Sequence, residues 1–169
     1  MAKKQTYNLI FIIVVSVVTV AICGSLIGHL VYYNNDKEEI LKISEDGFAE
    51  EIIVSNFENF KPGSKEKYSL KIESLEESAY IINLNFSELK DGTLKKYLNV
   101  LIKANGELIC EKNLEELLNS EIPVSFENII KPNDLLELEI QYEMPISVGN
   151  EAQNTETSVK VEITISQKE

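Results

Sequence analysis

The sequence predicts an all-β domain, an antiparallel sandwich or barrel, behind an N-terminal hydrophobic helix. Apolar and polar residues alternate along most of the chain after Asp36, and turn-forming residues separate the alternating stretches. The same part of the chain contains no stretch with the length and period of a long helix. Clean alternation also indicates sheets that have one buried face and one solvent-exposed face.

The N-terminal hydrophobic segment comprises residues 1–33. Lys3 and Lys4 precede an apolar run at residues 9–31. A helix needs roughly 20 apolar residues to cross the bilayer core, so this run is long enough. The lysines should stay in the cytoplasm, so residues 34–169 should form an extracytoplasmic domain. We expect residues 9–31 either to anchor the protein in the membrane or to serve as a signal peptide that signal peptidase removes, and both alternatives stay open.

The first strands are predicted from short apolar stretches. Residues Ile40–Ile43 precede the turn Glu45–Gly47, and Phe48–Phe57 form a longer stretch with Ile52–Val54 at its centre. Lys61–Ser64 contain a proline followed by a glycine, a combination typical of a tight turn. We therefore expect two strands before this turn and a third strand after it.

The middle of the chain has the clearest alternation. Tyr68–Ile72 and Tyr80–Phe86 each carry an apolar residue at every second position, which is typical of half-buried strands. Leu94–Lys103 are rich in apolar residues and are separated from Glu107–Cys110 by Asn105-Gly106. Asn-Gly between two such stretches is the strongest short-range signal of a β-hairpin.

The second half predicts one short helix and three more strands. Asn113 precedes Leu114–Leu118 and is a good N-cap residue for a helix there. Pro123 lies in the next alternating stretch and indicates an edge strand. The stretches from there on are Ile122–Phe126, Leu136–Tyr142, a polar loop at Val148–Thr157, and Val159–Ile165. The total is eight or nine strands and one short helix.

Composition excludes several classes of function. The chain has 28 acidic and 16 basic residues, a net charge of −12, and neither arginine nor tryptophan. Nucleic acid is therefore not an expected partner, because its binding needs a basic face. The single histidine, His29, lies in the apolar run, which excludes histidine-based triads and histidine-ligated zinc in the domain. We predict a protein that is not an enzyme, with no catalytic, cofactor-binding or metal-binding residue.

The two cysteines are Cys23 and Cys110. They lie on opposite sides of the predicted membrane or cleavage boundary, so an intrachain disulfide is not expected. Lipid attachment at Cys23 is disfavoured because bulky Ile22 precedes it. Cys110 follows an apolar pair, and we expect it to be a small buried residue at the end of a strand.

Three segments of the chain resemble the TasA/camelysin family of exported Gram-positive proteins. They are Phe60–Ser64 before Tyr68-Ser69-Leu70, Tyr142–Pro145 with Gly149–Gln153, and Tyr32–Asp36 at the end of the apolar run. The resemblance implies a jelly-roll-like β-sandwich and a structural role in the biofilm matrix or at the cell surface. The chain also differs from the family at two positions, since Leu30-Val31 replace the alanine that usually precedes the cleavage site and Asn154 replaces a common glycine.

The resemblance further implies a mode of assembly. In fibre-forming relatives the released N-terminal segment completes the sheet of a neighbouring subunit, and here that segment would be Tyr32–Ile43. The partner would be a second copy or a homologous matrix protein. The simpler alternative is that Ile40, Leu41 and Ile43 form the first strand of their own domain. A second hypothesis for function, favoured by the long apolar run, is a membrane-tethered extracytoplasmic binding or accessory domain.

Overall fold

A computed structural model describes residues 39–58, 60–152 and 155–168 of the chain. These residues group into one unit. The predicted hydrophobic helix at residues 9–31 and the predicted boundary after residue 33 lie outside the described residues, so both stay predictions. Within the described ranges, no helix is both long enough and apolar enough to cross a membrane.

Nine strands in the described ranges form two sheets. Sheet A has five strands in the order β1-β3-β8-β5-β6, and sheet B has four in the order β2-β9-β4-β7. In chain order the strands are β1 (Glu39–Lys42), β2 (Phe48–Glu58), β3 (Lys65–Glu73), β4 (Ser78–Lys90), β5 (Asn99–Ala104), β6 (Glu107–Asn113), β7 (Val124–Ile130), β8 (Leu135–Glu143) and β9 (Glu156–Gln167).

Strands β2 to β9 have the topology of a jelly roll. The chain passes between the sheets so that β2, β4, β7 and β9 lie in sheet B, while β3, β5, β6 and β8 lie in sheet A. All pairings among these eight strands are antiparallel. This arrangement of interleaved Greek keys defines the jelly roll. The prediction of an antiparallel, jelly-roll-like β-sandwich is therefore confirmed.

The core lies between the sheets and consists of the inward-facing residues of the alternating strands. In β9 every second side chain from Thr157 to Ile165 is buried, and in β8 the same holds from Leu136 to Tyr142. Burying an aliphatic or aromatic side chain of this size contributes about 1.5–3 kcal/mol. The two central strands thus hold the sheets together through side chains that the sequence pattern identifies.

The predicted turns and the helix are confirmed at the residues that indicated them. Asn105 and Gly106 both have positive φ, 50° and 79°, as the two-residue turn between β5 and β6 requires. The Asn113 side chain accepts a hydrogen bond of 2.9 Å from the Glu115 N–H and caps helix α1 (Leu114–Leu118). Its first-turn acids, Glu115 and Glu116, suit the positive end of the helix.

One predicted strand is shorter than its apolar pattern indicated. Residues Thr93–Tyr97 form a 3-10 helix, and β5 begins only at Asn99. Leu94 and Leu98 are both fully buried, so the turn of helix directs both leucines into the core. Gly92 precedes it because a Cβ there would collide with the Glu156 carbonyl. The polar loop also differs, since β9 begins at Glu156 and Asn150–Ala152 form a second 3-10 turn.

Strand β1 is an addition to the edge of the jelly roll. It pairs parallel to β3, with Glu39 opposite Leu70 and Lys42 opposite Glu73. Ile43 continues the contact through a 3.0 Å hydrogen bond from its N–H to the Glu73 carbonyl, and its side chain is buried. Ile40–Ile43 thus lie on the edge of their own domain, which agrees with the simpler of the two sequence-based alternatives.

Candidate functional site

The described residues contain no cluster of His, Cys, Asp and Glu side chains that could hold a metal ion. The sequence predicted no catalytic, cofactor-binding or metal-binding residue, so there is no predicted site residue to place. The parts of the domain that can contact other molecules are its surfaces: two outer faces and the strands at the sheet edges.

Cys110 is only partly buried, which differs from the expectation of full burial. It lies on β6, an edge strand of sheet A, and packs against the core as a free thiol. Burial raises the pKa of this thiol, an effect that the nearby Lys112 charge only partly offsets. A thiol with a raised pKa carries less thiolate, so Cys110 is a poor nucleophile.

The outer face of sheet A is crossed by ion pairs between neighbouring strands. Glu139 on β8 lies 2.8 Å from the Lys67 ammonium on β3 and 3.0 Å from the Lys103 ammonium on β5. Glu143 lies 2.8 Å from the Lys65 ammonium. These contacts join three adjacent strands, so the charges of this face are largely satisfied within the domain.

The ion pairs have an electrostatic consequence for the two glutamates. The Lys67 ammonium is the main cause that lowers the pKa of Glu139, and Lys103 adds to it. The Lys65 ammonium likewise lowers the pKa of Glu143. Both carboxylates are therefore more stable in the charged form when the sheet is folded.

The outer face of sheet B is mainly uncharged. Along its central strands β4 and β9, Asn83 lies opposite Thr164, and Ser166 lies opposite Ile81. Lys160 and Glu162 form an ion pair of 3.3 Å within β9 itself. The centre of this face thus presents hydroxyl and amide groups to solvent, and its cross-strand ion pairs, Lys90–Glu156 at 2.6 Å and Lys168–Glu127 at 2.8 Å, lie at the two ends of β9.

The edge of sheet B adds an apolar stripe to that face. β2 has 11 residues and is the first strand of the sheet. Its outward-facing Phe48, Ile52 and Val54 are 45%, 50% and 47% exposed. Long exposed edge strands with apolar side chains are templates for pairing with another chain, and many proteins protect them.

The edge of sheet A is only partly covered by β1. Among the described residues, β1 pairs with Leu70–Glu73 and does not extend along the first half of β3. In the described part of the chain, no strand pairs with β3 on this side ahead of Leu70, and an extended segment placed there would continue the sheet.

An incompletely satisfied polar cluster lies between the sheets near the first half of β3, where Tyr142 is opposite Glu66. The hydroxyls of Ser55 on β2 and Tyr142 on β8 are buried without a well-formed hydrogen bond to any described residue. Burial raises the pKa of Tyr142 well above its ordinary value, and the nearby Ser55 hydroxyl offsets this only in part. Tyr142 also packs on Phe57 at 4.7 Å and on Tyr68 at 6.3 Å between ring centroids, so aromatic residues from both sheets meet here.

The exposed stripe on β2 was not identified from the sequence, although a signal was present. Ile52–Val54 are three consecutive apolar residues placed at the centre of a predicted strand. Successive strand residues point to opposite faces, so at least one of the three had to face away from the core. In the structure Ile52 and Val54 face outward and Ile53 inward.

No protein-family model and no curated protein sequence matches the chain. Among solved structures, the chain is similar to the C-terminal domain of EclA, a sugar-binding protein. The two are 17% identical, the match covers 69% of this chain and 79% of that chain, and the TM-score is 0.40. A β-glucosidase from Paenibacillus barengoltzii shows 13% identity, with 75% of this chain but only 11% of that chain covered and a TM-score of 0.37. A GH26-CBM35 β-(1,4)-mannanase from Podospora anserina shows 9% identity, 74% and 28% coverage, and a TM-score of 0.36.

These solved structures resemble the chain too distantly to carry a functional argument. The class of protein is defined by the chain's own fold, a jelly-roll β-sandwich with one strand added in parallel at an edge. What this sandwich does has to be inferred from its edges and faces.

Proposed function

We propose that the chain is an exported structural protein of the biofilm matrix or cell surface, without enzymatic activity, that joins other chains through the edge of sheet A. The observation that carries the proposal is the incomplete covering of β3. Among the described residues, β1 runs along Leu70–Glu73 alone, and no strand pairs with β3 on that side ahead of Leu70. An extended segment from another chain would complete this edge by main-chain hydrogen bonds.

The buried polar cluster beside this edge supports the same proposal. An unsatisfied buried hydroxyl costs about 1–3 kcal/mol, and the hydroxyls of Ser55 and Tyr142 both lack a good partner in the described part of the chain. A strand that enters at this edge would bring backbone and side-chain groups near them. The resemblance of the chain to the TasA/camelysin family adds the expectation that the entering segment is Tyr32–Ile43 of a second copy or of a homologous matrix protein, which would take the place of the chain's own β1.

The proposal is tested by comparing two versions of the exported chain, one that begins at Tyr32 and one that begins at Ser44. The first should form filaments or stable oligomers in electron microscopy and sedimentation experiments, and the second should not. Leu41→Ser and Ile40→Ser provide a matched pair, because Leu41 packs against the core while Ile40 is 46% exposed. Leu41→Ser should weaken assembly more than Ile40→Ser. A chain from Tyr32 that stays monomeric at high concentration would contradict the fibre version of the proposal.

The second candidate is a membrane-tethered extracytoplasmic binding or accessory domain. It is favoured by the apolar run at residues 9–31 and by Leu30-Val31 at the position where a cleavable relative has alanine. In this version the outer face of sheet B, with its hydroxyl and amide groups, would bind a neutral partner such as a cell-wall polymer. Intact-mass analysis of the native protein separates the candidates: a mature N-terminus near Val31 or Tyr32 favours assembly, and a full-length chain in the membrane fraction favours tethering.

A further inference from the structure

Strand β2 forms the edge of sheet B and has the properties of an association surface. Its side away from β9 has no strand partner in the described ranges. Outward-facing Ile52 and Val54 are each about half exposed at its centre, and neither contributes to the core. This edge belongs to sheet B and not to the sheet of β3, so an inference about it goes beyond the proposed function and does not depend on it.

We propose that β2 pairs antiparallel with β2 of a second copy, with Ile53 of each chain opposite Ile53 of the other. In this register Ile52 lies opposite the second copy's Val54, and the two pairs form one apolar cluster of four side chains. Glu50 lies opposite Asn56, and Phe48 opposite Glu58. All 11 residues of β2 are paired, and no two carboxylates are directly opposite.

The neighbouring registers are less favourable. A shift of one residue would place outward-facing side chains opposite inward-facing ones, which the pleat of a sheet does not allow. Moving the two-fold axis to Val54 places Glu50 opposite Glu58, and moving it to Ile52 places Glu50 opposite Val54 and leaves the ends of β2 unpaired. Like charges directly opposite destabilise a strand pair. The sequence of β2 therefore favours one self-complementary register.

Comparison with β7, the other edge strand of sheet B, shows why β2 should pair with β2 of a second copy. β7 also has an exposed isoleucine, Ile129, at 64%. Its central residue is Glu127, which forms an ion pair of 2.8 Å with Lys168, so antiparallel self-pairing of the whole strand would crowd two such ion pairs at the two-fold axis. Pro123 lies just before the strand and provides no N–H for pairing. Of the two edges of sheet B, only β2 matches itself in both apolar pattern and charge.

Disulfide trapping tests the register in the full chain. Two full-length chains with tags of different size, both carrying Cys23→Ser and Cys110→Ser, receive Ile52→Cys and Val54→Cys respectively. Directly opposite residues have Cα atoms about 4.5–5.5 Å apart, within disulfide range, whereas diagonal residues lie about 7–8 Å apart, beyond it. The mixed disulfide should exceed either like disulfide several-fold under mild oxidation. Like disulfides in equal or larger amount, or none at all, would overturn the proposal.

A charge exchange provides a second and independent test. Ile52→Glu should weaken self-association of the full chain in mild detergent about tenfold or more, as measured by sedimentation. Adding Val54→Lys should restore it, because the introduced carboxylate of each copy would lie opposite the introduced ammonium of the other only in the proposed register. Ile129→Glu on β7 is the matched control and should leave association unchanged. Equal weakening by the control, no rescue by the double variant, or a wild-type chain without self-association would overturn the proposal.

Discussion

The two outer faces of the sandwich differ in how their polar groups are satisfied. On sheet A, Glu139 and Glu143 form ion pairs with lysines of adjacent strands at 2.8–3.0 Å. On sheet B, the central strands carry mainly serine, threonine and asparagine, and the edge strand β2 exposes Phe48, Ile52 and Val54. The ion pairs of sheet A join its central strands, whereas those between strands of sheet B lie at the two ends of β9 and leave the apolar side chains of β2 exposed.

This difference indicates which surfaces are used for stability and which for association. The cross-strand ion pairs on sheet A connect three strands of the domain. A partner that bound these charged side chains would have to break the ion pairs. The apolar stripe on β2 contributes little to the core, and it lies on an exposed edge strand, which is where pairing with another chain takes place. We therefore expect substitutions on the two faces to affect different measurements.

The largest effect on stability is expected where a buried side chain of β2 packs against sheet A. Phe57 on β2 is 1% exposed and packs against Tyr142 of β8, so Phe57→Ala should lower the free energy of unfolding by about 3–5 kcal/mol. Phe48→Ala on the same strand, where the ring is 45% exposed, should cost far less. Urea unfolding measures both. Similar costs for the two substitutions would show that β2 is not held to the core in this way.

A smaller effect is expected from the ion pairs of sheet A. Glu139→Ala should lower the free energy of unfolding by about 0.5–1 kcal/mol, because the carboxylate accepts from two lysines of neighbouring strands and solvent screens such pairs. Thr164→Val at the centre of the sheet B face should change it by less than about 0.5 kcal/mol. Denaturant unfolding at moderate salt tests the pair. If the two substitutions cost the same, the distinction between the faces is wrong.

The same ion pairs predict a pH dependence. The folded pKa values of Glu139 and Glu143 are lowered from the ordinary value of 4.5. Their contribution is therefore fully present above about pH 4.5 and is lost as the pH falls through the lowered folded values. Glu139→Gln should flatten the decline of stability in this acidic range. Thermal unfolding midpoints of both proteins from neutral to acidic pH measure it, and parallel curves would contradict the assignment.

The smallest effect on stability is expected at the apolar stripe. Ile52→Thr keeps a β-branched side chain on β2 and removes exposed apolar area, so the free energy of unfolding should change by less than about 0.5 kcal/mol. Self-association of the same variant should nevertheless decrease. Unfolding and sedimentation measurements on one preparation check both statements. A large loss of stability would show that Ile52 serves the fold instead of association.

The strands that were predicted well are those in which the alternation of apolar and polar residues shows which side chains are buried. Alternation along β3, β8 and β9 identifies which side chains are buried, and the sequence alone shows it. The turn at Asn105-Gly106 and the cap at Asn113 are likewise local, because the residue type that indicates each of them is the one that adopts the geometry.

The features that were not predicted depend on distant neighbours. Leu94 and Leu98 fit a strand pattern, but the end of the sandwich needs both of them buried, and a 3-10 turn achieves this. The exposure of Ile52 follows from the position of β2 at an edge, and that position is set by pairing of Phe48 with Ser166 near the other end of the chain. Local patterns contain no information about which strand becomes an edge.

We propose that the sandwich associates through its strand edges, while the outer face of sheet A contributes to stability alone. Amide hydrogen exchange of residues 32–169, followed by mass spectrometry in dilute and in concentrated solution, measures this association. We predict that higher concentration increases protection in β2 and in the first half of β3, and leaves β7 unchanged. Exchange that is independent of concentration in every segment, or new protection at β7 instead, would contradict the account.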